Sequence, residues 1–299
     1  MKLLLRQIAI FAILILTPAF VIKAVNHSKN KTPLKFGVIA DCQYSNYDSA
    51  NHRMYRLSEK KLSEAVTEFN SQDLDFVIHL GDFIDKDYES FDVVAPIYNQ
   101  LNAPHYHVLG NHDFAVADDK KDSVTKRLGM SAKYYDFTVD NWRFIVLDGN
   151  DISFYAYPEG SKEYAQSEQY YEKNGIEAPK WDGAIGNEQL AWLQQTIENT
   201  AKEKQKVIVF CHFPVYPEGR HCLWNQKEVV DLLEKYDNVK AYMNGHKHTG
   251  DYAEKEGKHY INFIGMVDTY QTAFSVVTLT DNSIEIKGYG REKDRVVSF

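Results

Sequence analysis

In Phe36-Gly37-Val38-Ile39-Ala40-Asp41-Cys42-Gln43 a short apolar run with strand character stops abruptly on an acid and an amide. The same event recurs along the chain. Phe76-Val77-Ile78-His79-Leu80 runs into Gly81-Asp82-Phe83-Ile84-Asp85, and Val207-Ile208-Val209-Phe210 runs into Cys211-His212-Phe213-Pro214. Gly110-Asn111-His112-Asp113 closes a strand-like stretch at 105–109, and Gly245-His246-Lys247-His248 closes another at 239–243. Apolar runs of this length, ended by turn formers, read as buried strands.

Helical spacing lies between them. Leu62, Ala65, Val66 and Phe69 fall at i, i+3, i+4, i+7, and Phe91, Val94, Tyr98 and Leu101 at i, i+3, i+7, i+10. Leu190, Leu193 and Ile197 predict a third helix, and Val229, Leu232, Leu233 and Tyr236 a fourth. Strands at 134–139 and 143–148 flank Asp140-Asn141 as a hairpin, and strands at 259–264, 273–279 and 284–288 follow with no helix between them. The pattern is α/β with an antiparallel tail. Two mixed β-sheets flanked by helices satisfy it, with all five cassettes at strand ends. The stretches 42–56, 112–133, 149–186 and 212–224 read as long loops, which in a compact domain usually carry function. The third holds Tyr155, Tyr157, Tyr164, Tyr170, Tyr171 and Trp181. One or two of these rings are expected to face a planar substrate group, and the others to pack on one another.

Turned toward one rim, the cassettes supply Asp41, Gln43, Asp82, Asn111, His212, His246 and His248. This mixed oxygen and nitrogen set is too hard for copper or iron–sulfur chemistry and large enough for two divalent ions. Two such ions are a standard device for in-line displacement at phosphorus. Asp82 is the expected bridge, since a carboxylate can share its two oxygens between cations, with Gly81 letting the backbone approach. Asp41 and Gln43 lie two apart and share a strand face. Gln43 and Asn111 offer neutral carbonyl oxygens. His112 is cast as a catalytic acid, its ring fixed by Asp113 or a backbone group. Asp85 is expected to hydrogen-bond backbone or a neighbour of a ligand. Taken singly, each motif is a common turn. Their order and shared placement make them one site. His79, His105, His107 and His259 lie within strands and read as structural.

The chain has 299 residues and a net charge of −8. Residues 1–33 carry Lys2, Arg6, Lys23, Lys29 and Lys31 and no acid, so the remainder stands at −13. So acidic a body excludes broad nucleic-acid binding, which needs a basic footprint. Residues 1–24 read as a signal peptide or N-terminal anchor. Lys2 and Arg6 precede an apolar run, 8–22, broken by Thr17-Pro18, too short for a bilayer span of ~20 residues. Residues 25–34 are a linker, and 35–299 the domain. The expectation is export to the periplasm or outside, with membrane contact only if the leader is uncleaved. Cys42, Cys211 and Cys222 are odd in number, so at least one stays unpaired, and the two beside proposed ligands should point away from the metals. There is no Cys-x-x-Cys, which disfavours a structural zinc site.

The order Asp-x-Gln, Gly-Asp-x-x-Asp, Gly-Asn-His-Asp, His, Gly-His-x-His resembles the calcineurin-like metallophosphoesterases. Their common pattern has His where Gln43 stands. The Gln variant is similar to the branch of manganese-dependent ADP-ribose/CDP-alcohol diphosphatases. Other stretches resemble it too: Asn187-Glu188-Gln189-Leu190-Ala191-Trp192-Leu193, Pro214-Val215-Tyr216-Pro217, Cys222-Leu223-Trp224-Asn225 and Gly265-Met266-Val267-Asp268-Thr269. The resemblance implies a metallophosphoesterase-type sandwich. It implies one metal on Asp41, Gln43, Asp82 and His248, and another on Asp82, Asn111, His212 and His246, with His112 assisting. It implies manganese, with iron or zinc as alternatives, and direct hydrolysis of the pyrophosphate in a small nucleoside diphosphate-X substrate. A purple-acid-phosphatase type of site is disfavoured, because its Tyr ligand would stand where Asp85 is. Two features depart from the branch: the exported leader, and loops 112–133 and 149–186 shorter than in animal relatives. They leave an alternative, an exported broad phosphodiesterase or nucleotidase scavenging phosphate. A non-catalytic binding module of the same fold would be expected to lose ligands, and this chain keeps all seven.

Overall fold

A computed structural model describes residues 33–299; the expected leader and nearly all of the linker lie outside the described residues. Strand β1 (Leu34–Ile39) pairs in parallel with β2 (Phe76–His79), which pairs in parallel with β3 (His105–His107). On its other side β1 meets β12 (Ala273–Leu279) antiparallel, followed by β13 (Ser283–Gly290) and β14 (Arg295–Ser298). A second sheet runs in the order β10 (Thr249–Lys255), β11 (Lys258–Ile264), β9 (Val239–Asn244), β8 (Lys206–Phe210), β5 (Trp142–Val146) and β4 (Tyr135–Val139). The two mixed sheets pack face to face with helices outside, as the alternation of strand and helix predicts.

Alternation within each strand explains why the runs are apolar throughout. Phe36 and Val38 of β1 point into the layer between the sheets, with Phe76, Ile78, Phe144, Ile208 and Phe210. Phe36 lies at its centre, stacked on Phe76 at 4.6 Å and edge-on to Phe144 at 5.7 Å. Ile39 and Val77 face the other way, onto α1 (Leu57–Asn70) and α2 (Phe91–Tyr98) through Leu62, Val66, Phe69, Val94 and Tyr98. In the second sheet Val207 and Val209 face α5 (Asn187–Lys202) and α6 (Gln226–Leu233). Strands buried on both faces lose the polar positions of a half-exposed strand.

The parallel core strands of each sheet point their C-terminal ends at the same rim. Hydrogen bonds lock the two ends together: His212 Nδ1 meets the Leu80 carbonyl at 2.8 Å, and Met266 N–H donates to the Ala40 carbonyl at 2.8 Å. In open α/β sheets, ligands bind in the crevice beyond such strand ends.

The expected loop 149–186 is not structureless. It contains β6 (Ile152–Ser153), α4 (Lys162–Lys173) and β7 (Gly183–Ala184), with Ser161 capping α4 by accepting from Tyr164 N–H. α3 (Val124–Arg127) is a single short turn in the loop 112–133. β10 and β14 were also not anticipated.

Candidate metal centre

All seven proposed donors meet where the two sheets' strand ends converge. Asp41 follows β1, Asp82 follows β2, Asn111 follows β3, His212 follows β8, and His246 and His248 follow β9. Gln43 Nε2 donates to Asp82 Oδ2 at 2.8 Å, and His212 Nε2 lies 3.2 Å from the same oxygen. His246 Nδ1 is 3.1 Å from His212 Nε2, and His248 Nε2 is 3.5 Å from Asp41 Oδ1. Asp41, Gln43, Asp82, Asn111 and His212 are at most 1% exposed.

The backbone is bent to achieve this. Asp41, Gln43, Asp82 and His246 have φ of 51°, 44°, 58° and 67°. Left-handed backbone costs non-glycine residues about 1–3 kcal/mol each and persists where the surroundings impose it, most often at functional sites. Two glycines allow the close approach. A Cβ on Gly110 would fall 2.2 Å from Asp82 N, and one on Gly81, where φ is +92°, 2.6 Å from the His212 ring. Gly81 therefore makes room for a histidine, which adds a reason to the one read from sequence.

Supporting groups surround the donors. Asp182 Oδ1 lies 2.9 Å from His246 Nε2, and Asp268 Oδ1 lies 3.0 Å from His248 Nδ1. Each fixes a ring so that the other nitrogen faces the cluster, the usual role of a carboxylate behind a ligating histidine. Sequence reading did not single out either aspartate. Asp268 sits in a turn whose only signal was family likeness, and Asp182 comes from a connection that looked structureless.

His112 lines the cavity, with Nδ1 2.8 Å from Asp85 Oδ1. This corrects the expectation that Asp113 or backbone holds the ring. Asp113 is fully buried and its carboxylate accepts from the N–H groups of Gly110, Asp82, Phe83 and Ile84 at 2.9, 3.0, 2.7 and 3.3 Å. It ties the β2 cassette to the β3 cassette and is a positioning residue rather than a catalytic one. Asp85 does more than sequence suggested.

Charge is balanced internally. Burial would raise Asp82, but His212 and His112 outweigh it and hold the carboxyl well below its usual range. Burial opposes the charge on His212 and His248, yet Asp82 pushes the first up to about 9, and Asp41 with Asp268 the second up to about 10. Burial and the charge on His212 drive His246 down, which keeps a lone pair on its ring. Burial raises Asp182 to about 8.

Five of the donors, Gln43, Asp82, Asn111, His246 and His248, line a cavity of about 280 Å³, also bordered by Arg53, Tyr155, Trp181 and His221. So two of the six Tyr and Trp rings in 149–186 border the site. Tyr164 and Tyr171 instead pack on Phe154, and Tyr157 and Tyr170 line a larger hollow of about 510 Å³ beside α4 that contains none of the donors. The donor set fits divalent cations. Gln43 Oε1 and Asn111 Oδ1 are buried with no hydrogen-bond partner, and buried acceptors are rarely left so. Asp82, His212 and His246 present ligand atoms within 4.8 Å of one another.

His79 and His107 pack among Phe83 and Tyr98, and His259 bonds Tyr252 and the Ser298 carbonyl. Cys42 and Cys211 turn into the helix-facing cores, and all three cysteines are free and buried.

Residues 34–250 match the family model for calcineurin-like phosphoesterases. The chain belongs to the calcineurin-like phosphoesterase family. As a member it is a metal-dependent hydrolase. It is 32% identical to the manganese-dependent ADP-ribose/CDP-alcohol diphosphatase of Arabidopsis thaliana, across 88% of this chain and 97% of that protein. The mouse protein of the same name is 28% identical, across 88% and 93%. A dimetal phosphatase from Danio rerio superposes with a TM-score of 0.80 at 25% identity, covering 89% of this chain and 98% of that one. This calcineurin-like phosphoesterase thus shares nearly its whole described body with these relatives.

Proposed function

We propose that the chain hydrolyses the pyrophosphate link of nucleoside diphosphate-X compounds, such as ADP-ribose or CDP-alcohols, with two divalent cations, manganese foremost. Asp41, Gln43, Asp82 and His248 hold one ion, and Asp82, Asn111, His212 and His246 the other. The ions supply Lewis acidity at phosphorus. The observation that carries the reading is one cavity lined by Gln43, Asp82, Asn111, His246, His248, the Asp85-held His112, Tyr155 and Trp181, with Asp41 and His212 packed against these donors. With Nδ1 bound to Asp85, the His112 ring can carry a proton at Nε2 and release it to the leaving oxygen. Tyr155 and Trp181 supply aromatic surface at the cavity wall for a base or sugar. The names of the relatives support the substrate class. A cavity of about 280 Å³ lies near the lower edge of small-molecule pockets, about 300–1,000 Å³, which favours a compact ligand over a polymer.

The test is a panel of ADP-ribose, CDP-choline, a nucleoside monophosphate and bis(p-nitrophenyl) phosphate, with added manganese. The two diphosphates should exceed the others in kcat/KM by tenfold or more. A preference for the monophosphate or the diester would replace this reading with a scavenging phosphohydrolase.

We further propose export, supported by Lys2, Arg6 and the apolar run 8–22. N-terminal sequencing of protein from fractionated cells checks it; a full-length soluble cytoplasmic product would refute it.

A further inference from the structure

Arg53 is the single permanently charged cation lining the metal cavity among the described residues. Nearby cations are engaged elsewhere. The Arg220 guanidinium sits over Trp181 at 4.9 Å, and the Lys86 ammonium lies 4.7 Å from the ring centres of both Tyr47 and Tyr55.

The base of Arg53 is fixed. Its backbone exchanges hydrogen bonds with Ala50 at 3.0 and 3.1 Å. It also bridges to Asp268, while Met54 N–H donates to Val267 and Thr269 N–H to His52. The loop tip is thereby stitched to the turn that orients His248. The head of the side chain meets the Tyr55 hydroxyl, which favours its charge, and keeps further donors to spare. Its Nη1 is 3.7 Å from Asp85 Oδ2, too far for a hydrogen bond, and that oxygen is buried without a hydrogen-bond partner. A guanidinium has five N–H donors in a planar fork that matches two phosphate oxygens.

Asp85 places this fork. Its Oδ1 holds His112 and its Oδ2 faces Arg53, so the two side chains flank one carboxylate. His112 is positioned to protonate the leaving oxygen. In a phosphoanhydride that oxygen belongs to a second phosphate; in an ester it belongs to an uncharged alcohol. Whatever follows the leaving oxygen therefore lies beside Arg53.

We infer that Arg53 grips the second, leaving phosphate, and so makes the site select phosphoanhydrides over simple esters. This rests on the diphosphate reading of the same site and names the residue that enforces it.

The experiment measures competitive inhibition of bis(p-nitrophenyl) phosphate hydrolysis by methylenediphosphonate and by orthophosphate, with manganese in excess. Wild type should bind the two-phosphorus probe more tightly. In Arg53→Gln that advantage should shrink by about tenfold to a hundredfold, the range for a charge-assisted hydrogen-bonded pair. Orthophosphate inhibition should change far less. Arg53→Lys, which keeps charge but loses the fork, should recover part of the advantage. Metal content at two ions per chain excludes an indirect effect through the turn at Asp268. Equal weakening of both inhibitors, or no preference in wild type, overturns the inference. The readout needs no natural substrate. If wild type fails to split ADP-ribose while the Arg53-dependent preference persists, the diphosphatase reading falls and the Arg53 assignment stands.

Discussion

At the scale of single residues, the geometry sets the proposed acid apart from the proposed metal donors. His112 is beside the donor Asn111 in sequence, yet its ring bonds to Asp85 rather than to any of the seven donors. His112→Ala should keep both metals and lose roughly 10²–10⁴-fold in kcat, the usual range for a placed acid or base. The loss should be smaller for a p-nitrophenyl ester, whose leaving group needs no proton, than for an ester that must expel an alkoxide. Asp85→Asn should give a smaller loss with the same dependence on leaving group, because it misorients the ring without removing it. Rates on both substrate types, beside metal stoichiometry, check this. An equal loss on both substrates argues against proton donation, and loss of a metal would make His112 a ligand. Asp82→Asn should by contrast abolish turnover and release metal, since Asp82 lies against Gln43, His212 and the His112 backbone at once.

At the scale of elements, α1 reaches into the centre through one polar residue. Lys61 is 2% exposed, and its ammonium donates to the carbonyls of Met266, Val267, Asp268 and Thr269 at 2.8, 3.0, 3.3 and 2.6 Å. Burial pushes its pKa down to about 8, while the four carbonyls favour the ammonium, which alone has three donors to share among them. Lys61→Met would take this donor from the Met266, Asp268 and Thr269 carbonyls, while Val267 keeps the Met54 N–H, at a cost on the order of 3 kcal/mol. It should also weaken one metal by roughly 10–100-fold, as loss of a ligand's supporting group typically does, because the turn carries Asp268 behind His248. Denaturation midpoints and manganese titration measure the two effects separately. Lower stability with unchanged affinity would make Lys61 structural only. This device marks the boundary of what the sequence revealed. The strands and main helices were legible because burial on two faces or one stripe imprints a period. The donors were legible because each sits just past a strand. Lys61, Asp182 and Asp268 act across the fold, with Lys61 meeting carbonyls some 205 to 208 positions away, and no local pattern records such a contact. Helix α4 was missed because its buried face is slight, with Ser167 its only fully buried residue.

At the scale of the whole molecule, the site is the place where the two sheets are pinned at one rim, so metal binding should stabilise the fold as well as serve the chemistry. Asp41 and His248 join the first sheet's end to the second's, as do Asp82 and His212. Without ions, these buried charges rely on one another. Ions that bind the native protein and not the unfolded chain add about 2.7 kcal/mol per site at a hundredfold excess over Kd. For a body of this size each kcal/mol is worth about 2–4 °C in Tm. Saturating manganese should therefore raise Tm by about 5–20 °C over chelator-treated protein, and the rise should grow with the logarithm of free metal. Asp82→Asn should lose most of that response, because it touches both proposed ion sites. It should also lower the metal-free Tm, because it leaves His212 buried beside a neutral amide. Calorimetry of wild type and variant across a manganese series measures both effects. A metal-free Tm equal to that of the loaded protein, with turnover still dependent on manganese, would mean that the ions bind an already rigid rim and that the sheets owe nothing to them.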